Sequence, residues 1–365
     1  MDDALPAKVE LRRGWTTGTC ATAAATAAYE ALLTGAFPEA VSVTLPRGGT
    51  ATLKIASAWL ERDGATAGVI KDAGDDPDVT HGAEVRASVT PGAPGSGVVF
   101  CAGEGVGTVT LPGLPVPVGE PAINPGPRAM IRAAIAAVAH RCGASGDVVV
   151  TISVPGGEAL AAKTLNGRLG ILGGLSILGT TGVVVPFSCA AWIHSVHRGI
   201  DVARAAGLPH LAAATGSTSE AAVKALYCLP EAALIDMGDF VGGTLKYLRR
   251  HPVPRLTIAG GFAKLVKLAQ GAMFLHSSKS RVDMPALSRL VAALGGGEDL
   301  VTEAAGANTA AQVLAAATER GLPLADAVAT RAQAVAAAAL DPATDVEVVV
   351  FDRQGALVGR AGFRG

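Results

Sequence analysis

The second half of the chain contains short, uninterrupted runs of apolar residues that end in glycine. The runs "HLAAATG", "EAALIDMG" and "PRLTIAGG" are each followed by a stretch with the apolar spacing of a helix. Strands that are apolar on both faces are typical of a parallel sheet covered by helices on each side. The pattern predicts a βαβαβ arrangement in a Rossmann-like α/β domain with a largely parallel sheet. An alanine-rich helical region, interrupted near "LGGGEDL", leads to a predicted last strand, "DVEVVVFD".

The first half instead alternates apolar and polar positions. "AVSVTLPRGG" and "ATLKIASAWLERDGATAGVI" predict strands joined by a Gly-Gly hairpin turn. Further strands are predicted in "AEVRASVT", "GVVFCAG" and "DVVVTISV", and helices after "WTTG" and "NPGP". We therefore predict an α+β, glycine-rich N-terminal domain over residues 1–200 and the α/β domain over residues 201–365, linked through residues 196–209.

The length, composition and net charge of the chain exclude several classes of function. A length of 365 residues favours two domains, and a hydrophobic content of 50% indicates a globular protein. The net charge of −1 and the aromatic content of 4% argue against nucleic acid and membrane surfaces as partners. Five cysteines without a CxxC spacing argue against disulfides and a structural zinc site. Acidic residues near the start, and no apolar run of about 18 residues, predict neither signal peptide nor anchor, hence a cytoplasmic protein.

The glycine-ended runs have the spacing of a nucleoside site. In "ATGSTSE" a strand turns into a helix, for which Ser217, Thr218 or Ser219 is the predicted N-cap. Asp236 follows Gly216 by about 20 residues, the offset at which doubly wound folds place a carboxylate on ribose hydroxyls. Because GxGxxG is absent, a single nucleoside such as S-adenosylmethionine fits better than NAD, although the spacing alone leaves open that the glycines merely end strands. The residues predicted to bind the cofactor are Gly216, Ser219, Glu220, Asp236, Gly238, Gly260 and Gly261.

The segment "VIKDAGDDPDVTHG" carries the densest set of titratable residues. Carboxylates so close together repel one another unless they bind a cation, accept hydrogen bonds from turns or lie in water. We interpret the segment as an active-site loop and expect the repulsion to raise the pKa of at least one carboxyl group. The catalytic candidates are Asp72, Asp75, Asp76 and His81. A metal site, for which the EF-hand glycine and terminal glutamate are missing, and a solvated turn are the alternatives.

A third set of residues suggests a site for a large ligand. "KTLNGRLGILGGLSILGTTGVVVPFS" holds more glycines than ordinary turns need, and its Thr180-Thr181-Gly182 repeats the Thr16-Thr17-Gly18 that precedes the alanine helix. Such open backbone suits a broad, flat or polyanionic ligand. Lys264 is interpreted either as a partner for a ligand carboxylate or as part of a solvated helix face. The other basic residues available for carboxylates are Arg128, Lys163 and Arg168.

Six long motifs stand in order between residue 12 and about residue 283. They are "RRGWTTGTCATAAATAA", "VIKDAGDDPDVTHGAEV", "TLNGRLGILGGLSILGTTGVVVPFS", "ATGSTSE", "MGDFVG" and "IAGGFAKLVKLAQGAMFLHS". Together they resemble the CbiD family of cobalamin biosynthesis, the cobalt-precorrin-5B C1-methyltransferases. The region after Met284 is similar mainly in its helical character. Gly167, Asp239 and Leu275 stand where proline, asparagine and threonine are common in the family, so the resemblance assigns them no role.

The resemblance implies transfer of a methyl group from S-adenosylmethionine to C1 of a cobalt-containing, ring-contracted corrinoid, giving cobalt-precorrin-6A and S-adenosylhomocysteine. It fits the interpretation of the residues, in which the second domain holds S-adenosylmethionine with Asp236 on the ribose and the first receives a macrocycle rimmed with carboxylates. Thr16, Thr17 and the amides after Gly18 would then form an anion cradle at a helix N-terminus. The residues predicted to bind the substrate are Thr16, Thr17, Gly18, Arg128, Lys163, Arg168, Thr180, Thr181 and Lys264.

The expected partners are small molecules. No protein-bound metal, nucleic acid or membrane is expected, whereas an oligomer and transient contacts with neighbouring pathway enzymes are compatible with the sequence. The alternative from a different class is a non-catalytic corrinoid or nucleotide carrier, which would bind the macrocycle without releasing S-adenosylhomocysteine. An NAD-dependent reductase would need a second nucleotide-binding half, which we do not find in the sequence.

Overall fold

The computed structural model describes residues 11–364 and divides into two compact units, unit 1 ending at Cys189 and unit 2 beginning at Ala190. The acidic residues near the start of the chain, on which the prediction of no signal peptide rests, lie outside the described residues. Within residues 11–364, no helix combines the length and the apolar character that crossing a bilayer requires.

Unit 1, as far as the structure describes it, combines helices with many short strands. Its helices are α1 Thr17–Thr34, α2 Pro125–Cys142 and α3 Gly157–Ala161. Its strands are β1 Gly14–Trp15, β2 Ala40–Thr44, β3 Thr50–Lys54, β4 Ser57–Glu61, β5 Gly64–Ile70, β6 Glu84–Pro91, β7 Val98–Ala102, β8 Thr108–Val109, β9 Val148–Ser153, β10 Ile171–Leu172 and β11 Val183–Val184. The predicted hairpin is confirmed, because β2 and β3 pair antiparallel around Gly48 and Gly49, which both have positive φ.

Helix α1 is the packing centre of unit 1. The main sheet has the order β4-β5-β6-β9-β7 and is antiparallel except for the parallel pair β7 and β9. Helix α1 packs on β5, β6 and α2, and its alanines are fully buried. At the crossing with α2, a Cβ on Gly18 would lie 2.6 Å from Cγ of Pro127, so only glycine fits there. Small side chains thus allow close neighbours on nearly every side of one helix.

Unit 2 is built from longer runs of helix. Its helices are α4 Cys189–Ala205, which starts at the last residue of unit 1, α5 Ser217–Tyr227, α6 Val241–Arg250, α7 Phe262–Ala269, α8 Met284–Ala293, α9 Glu298–Gly306, α10 Ala310–Glu319 and α11 Leu324–Ala339. Its strands are β12 His210–Ala214, β13 Leu234–Asp236, β14 Arg255–Gly261, β15 Asp345–Phe351 and β16 Leu357–Ala361.

The sheet of unit 2 has the order β13-β12-β14-β15-β16. Strands β12 to β15 are parallel, which confirms the interpretation of the glycine-ended apolar runs. Strand β16 was not predicted and pairs antiparallel with β15 at the edge, so "DVEVVVFD" is not the last strand. Its sequence, "LVGRA", is short and half exposed, and therefore carries little of the buried pattern that identifies the other strands.

Both faces of this sheet are covered, as continuous apolar strands require. On one face, Leu211, Ala213 and Ile258 join a large core with α4, α6, α7 and α11. On the other face, Ala212, Ala214 and Ala259 pack with α5. The side chains alternate between the two cores along each strand.

The boundary between the two units lies between residues 189 and 190, before the predicted boundary between residues 200 and 201. The predicted linker, residues 196–209, is largely the second half of α4. Val196, Ile200 and Ala203 of this helix are buried in the core of unit 2. The change of pattern predicts a linker here, whereas the helical spacing of these apolar residues buries one face of the segment.

Candidate functional site

The carboxyl edge of the unit 2 sheet gathers the residues that the sequence predicts to bind a nucleoside. Ala214, Asp236 and Ala259 are in register across β12, β13 and β14. The amides of Met237 and Gly238 both donate to the Ala214 carbonyl, at 3.0 and 3.1 Å. Gly216, Asp236, Gly238, Gly260 and Gly261 therefore lie at one edge although they are far apart in sequence.

The topology gives this edge an opening between β12 and β14. The chain leaves β12 through α5 on one face of the sheet, and leaves β14 through α7 on the opposite face. Neighbouring parallel strands whose following helices lie on opposite faces form a crevice at their carboxyl ends, where open α/β sheets bind ligands. Gly216 and Gly261 stand on the two sides of this crevice.

The helix at the crevice begins differently from the prediction. The N-cap of α5 is Gly216, and neither Ser217, Thr218 nor Ser219 takes that position. The hydroxyl of Ser219 is buried and donates to the Gly216 carbonyl at 2.8 Å, so it closes the turn instead of capping it. Glu220 stands in the first turn of α5, where a carboxylate is favourable.

The four glycines of the edge divide into two pairs. Gly238 has a φ of +55°, and a Cβ on Gly260 would lie 2.8 Å from the Thr215 hydroxyl, so the fold itself explains both. Gly216 and Gly261 have extended backbone, with φ of 171° and −73°. A Cβ on either would meet no heavy atom within 4 Å. The fold alone therefore does not require glycine at 216 and 261, whereas a ligand that approaches the backbone would.

Three further side chains lie at this edge. The ammonium of Lys264, in the first turn of α7, donates to the Thr215 carbonyl at 2.6 Å and lies 3.1 Å from the Asp239 carboxylate. It is therefore tied to the loops after β12 and β13, and its binding of a ligand carboxylate stays a prediction. The indole of Trp192 donates to the Asp236 carbonyl at 3.2 Å and is 46% exposed. Sequence reasoning missed Thr215, Asp239 and Trp192, and the scarcity of tryptophan was the one signal for the last.

In unit 1, the turn before α1 is already hydrogen-bonded within the protein. Thr16 is the N-cap and accepts the Thr19 amide at 3.2 Å. The Gly18 amide donates to the Leu178 carbonyl at 2.8 Å, and the Thr17 hydroxyl accepts the Leu178 amide at 2.9 Å. These bonds correct the expected cradle of free donors, because the turn instead holds the loop that follows residue 177. Substrate binding by Thr16, Thr17 and Gly18 stays a prediction.

The acidic segment is held together by an arginine that the sequence prediction missed. Arg12 makes two hydrogen bonds to the Asp72 carboxylate, one of them 2.9 Å long. The hydrogen bond from Arg12, together with one from the Gly74 amide, lowers the pKa of Asp72 to about 2. At Asp72 the shift is therefore opposite to a rise caused by crowding, because the hydrogen bonds from Arg12 and the Gly74 amide outweigh the effect of burial.

The other members of the acidic segment act as backbone anchors. The Asp75 carboxylate accepts the Arg12 amide at 2.6 Å, and the Asp76 carboxylate accepts the Phe187 amide at 2.9 Å. Nδ1 of His81 accepts the Ala73 amide at 3.1 Å, which leaves the proton of a neutral ring on Nε2. These contacts bring the segment, residue 12 and residue 187 together.

A buried ion pair supports the base of the same segment. Lys71 is 1% exposed and donates to the Asp78 carboxylate at 2.7 Å. Burial opposes ionisation of Asp78, but the bonds from Lys71 and Thr80 outweigh it and lower the pKa of Asp78. Among residues 11–364, no group of three or more His, Cys, Asp or Glu side chains is arranged to hold a metal ion.

The predicted cations of unit 1 differ in how they are engaged. Arg128 donates to the Glu120 carboxylate at 3.1 Å and to the Ile123 carbonyl at 2.8 Å, so it is engaged internally and does not stand open to a ligand as predicted. Lys163 is exposed and Arg168 is half-buried. Thr180 is exposed, whereas the Thr181 hydroxyl donates to the Val183 carbonyl at 3.0 Å.

Comparison with known proteins gives consistent matches. The sequence model of the family CbiD matches residues 5–186, and that of the CbiD C-terminal domain matches residues 274–362. The chain is 61% identical to a protein of Bradyrhizobium sp. (strain BTAi1), over 97% of this chain and 95% of that one. It is 59% identical to a protein of Agrobacterium fabrum (strain C58), over 96% of this chain and 93% of that one. Both are named cobalt-precorrin-5B C(1)-methyltransferase.

One solved structure is also similar. It is the crystal structure of the cobalamin biosynthesis protein cbiD from Archaeoglobus fulgidus, with 31% sequence identity. The match covers 72% of this chain and 81% of that chain, with a TM-score of 0.40.

Proposed function

The chain belongs to the CbiD family, and from this premise we infer that it is a methyltransferase acting on C1 of cobalt-precorrin-5B in cobalamin biosynthesis. The observation that carries the inference is the identity of 61% over 97% of the chain with a relative of that name. The product is cobalt-precorrin-6A, with S-adenosylhomocysteine as the second product.

We propose that unit 2 binds S-adenosylmethionine at the crevice between β12 and β14. The residues present fit this ligand, because Gly216 and Gly261 leave room where a Cβ would otherwise stand. Asp236 ends β13 at the position from which doubly wound folds bind ribose hydroxyls. Trp192 offers a half-exposed aromatic face beside it. Gly238, Gly260, Ser219 and Glu220 shape and support the same edge.

The protein's part in the reaction is positioning. Bound S-adenosylmethionine supplies a methyl group on a sulfonium, already a strong electrophile. The chain must orient that methyl group towards the substrate carbon and exclude water, which accounts for much of the rate enhancement in such transfers. The Lys264 bridge between Thr215 and Asp239 fixes the loops after β12 and β13, and so sets the shape of the crevice.

We propose that unit 1 binds the corrinoid. The exposed side chains of Lys163 and Thr180 suit the carboxylates at the rim of the macrocycle. His81 can donate from Nε2 to a carboxylate, since its Nδ1 is occupied by a backbone amide. Asp72 is a weak base because its pKa is about 2, so its role is to hold Arg12 and the loop rather than to remove a proton. The carboxylates of Asp75 and Asp76 accept the amides of Arg12 and Phe187 and so hold the backbone around the loop.

The direct test is to incubate the purified protein with cobalt-precorrin-5B and S-adenosylmethionine labelled with ¹³C in its methyl group. We expect the label at C1 of the corrinoid, located by NMR, and S-adenosylhomocysteine in equal amount. A non-catalytic carrier would bind the corrinoid and leave the label on the donor, which would refute the proposal.

The donor site has its own test, the substitution Gly216→Ala. Ala fits the backbone and the space at 216, so we expect the free energy of unfolding to change by less than about 1 kcal/mol. S-Adenosylmethionine should bind at least about tenfold more weakly by calorimetry, because the methyl group occupies the ligand's place. Gly297→Ala is the matched control, since Gly297 is also an extended N-cap with open space around it, on α9 away from the sheet. If both variants bind S-adenosylmethionine with equal affinity, the donor does not bind at this crevice.

A further inference from the structure

Phe187 combines two features that are unfavourable for the fold. Its φ is +54°, and among residues 11–364 the other non-glycine residue with positive φ is Cys228. The left-handed conformation is strained for a side chain as bulky as phenylalanine. The ring is also 67% exposed, although the chain has eight phenylalanines and keeps others buried. A strained, exposed aromatic residue stabilises neither the backbone nor a core, which points to a function.

The backbone around Phe187 is fixed even though its side chain is not packed. The segment from residue 178 to 187 is bonded to Thr17 at its start and to β1 through β11 in its middle. At its end, the Phe187 amide donates to the Asp76 carboxylate. Three separate attachments therefore hold a segment whose large side chains are left in solvent.

The exposed side chains of this segment are apolar. Leu178 is 50% exposed and Val185 is 48% exposed, in addition to Phe187. The segment also carries Thr180 and Thr181, and its end is anchored by the acidic segment. Apolar surface held in place beside polar groups is the arrangement that binding sites for flat, partly apolar ligands use.

We propose that Phe187 is a substrate-binding residue that stacks on the face of the corrinoid macrocycle. The inference rests on the proposed function, because it takes the corrinoid as the ligand of unit 1. A conjugated macrocycle has a broad apolar face around its central cobalt and carries its carboxylates at the rim, and an aromatic ring gains from stacking on such a face. The strained conformation of residue 187 then presents the ring to the ligand, since it directs the ring away from the protein while Asp76 holds the backbone.

The test compares three variants of the full-length protein. Phe187→Asn removes the ring but keeps a residue that tolerates positive φ, and Phe187→Tyr keeps the ring. Cys228→Asn is the matched control, because it makes the same kind of change at the other strained position, the C-cap of α5. Each variant is titrated with cobalt-precorrin-5B under anaerobic conditions and followed by absorbance, and KM and kcat are measured with excess S-adenosylmethionine.

For Phe187→Asn we expect corrinoid Kd and KM to rise about tenfold or more, with an unchanged S-adenosylmethionine Kd and a melting temperature that does not fall. Phe187→Tyr and Cys228→Asn should behave like the wild type. A wild-type corrinoid Kd in Phe187→Asn overturns the inference, as does a parallel loss of melting temperature and donor binding, which would indicate a structural role. If the wild-type protein neither binds nor methylates cobalt-precorrin-5B, the proposed function fails, and the inference fails with it.

Discussion

Glu347 and Arg360 form an ion pair whose two members should differ in what their loss does to stability. Glu347, on β15, is fully buried, whereas the Arg360 side chain on β16 is 44% exposed. The Glu347 carboxylate accepts hydrogen bonds from Nε of Arg360 at 2.7 Å and from the Thr257 hydroxyl at 2.9 Å. It also accepts one from the Tyr227 hydroxyl. Removing the arginine leaves a buried anion without its cation, whereas removing the anion leaves an arginine that water can reach.

The magnitudes follow from this asymmetry. Arg360→Gln leaves a buried carboxylate with only hydroxyl donors, so we expect a loss of about 3–5 kcal/mol in the free energy of unfolding. Glu347→Gln keeps the shape and one acceptor oxygen, and it leaves no buried charge, so we expect a loss of about 2 kcal/mol. In the double variant the second substitution should cost less than it does alone, with a coupling of about 2 kcal/mol.

Urea unfolding of unit 2 can be followed by the fluorescence of Trp192. The chain has three tryptophans, and Trp15→Phe with Trp59→Phe leaves Trp192 as the only reporter. The free energies are compared at constant m-value, since a changed slope would report a different unfolded or native state. If Glu347→Gln destabilises unit 2 as much as Arg360→Gln, or more, the argument from burial is wrong.

Two further predictions concern the acidic segment of unit 1. The pKa of Asp72 is about 2 in the folded state, below its ordinary value of 3.8, so its bond to Arg12 stabilises the fold above pH 3.8 and this contribution is lost as the pH falls through about 2. Arg12→Gln should therefore move the Asp72 titration, measured by carboxyl ¹³C NMR, back towards 3.8, and an unmoved titration would contradict the assignment. Lys71→Met should lower the free energy of unfolding of unit 1 by about 3–5 kcal/mol, because Asp78 loses the cation that offsets its burial. Asp78→Asn combined with Lys71→Met should recover part of that loss in urea unfolding of unit 1, followed by Trp15 and Trp59 in a Trp192→Phe background, and no recovery would exclude the ion pair as its cause.

Much of the fold was predictable because it depends on the local spacing of apolar residues along the chain. Continuous apolar runs that end in glycine gave the parallel strands of unit 2, and alternation gave the β2–β3 hairpin of unit 1. Both patterns depend only on which residues face a core, and neighbouring residues reveal that. Strand β16 and the start of unit 2 were missed, since a half-exposed edge strand and a half-buried helix show little of either pattern.

The sequence by itself determined which residues gather at the carboxyl edge of the unit 2 sheet, because parallel strands end at the same edge wherever their glycines lie. Only the tertiary structure decided which of those glycines the fold needs: Gly238 and Gly260 are required by their backbone or neighbours, whereas Gly216 and Gly261 stand in open space. It likewise decided the partners of Asp72 and Glu347. A hydrogen bond depends on distances between residues far apart in the chain, and no local pattern carries that information.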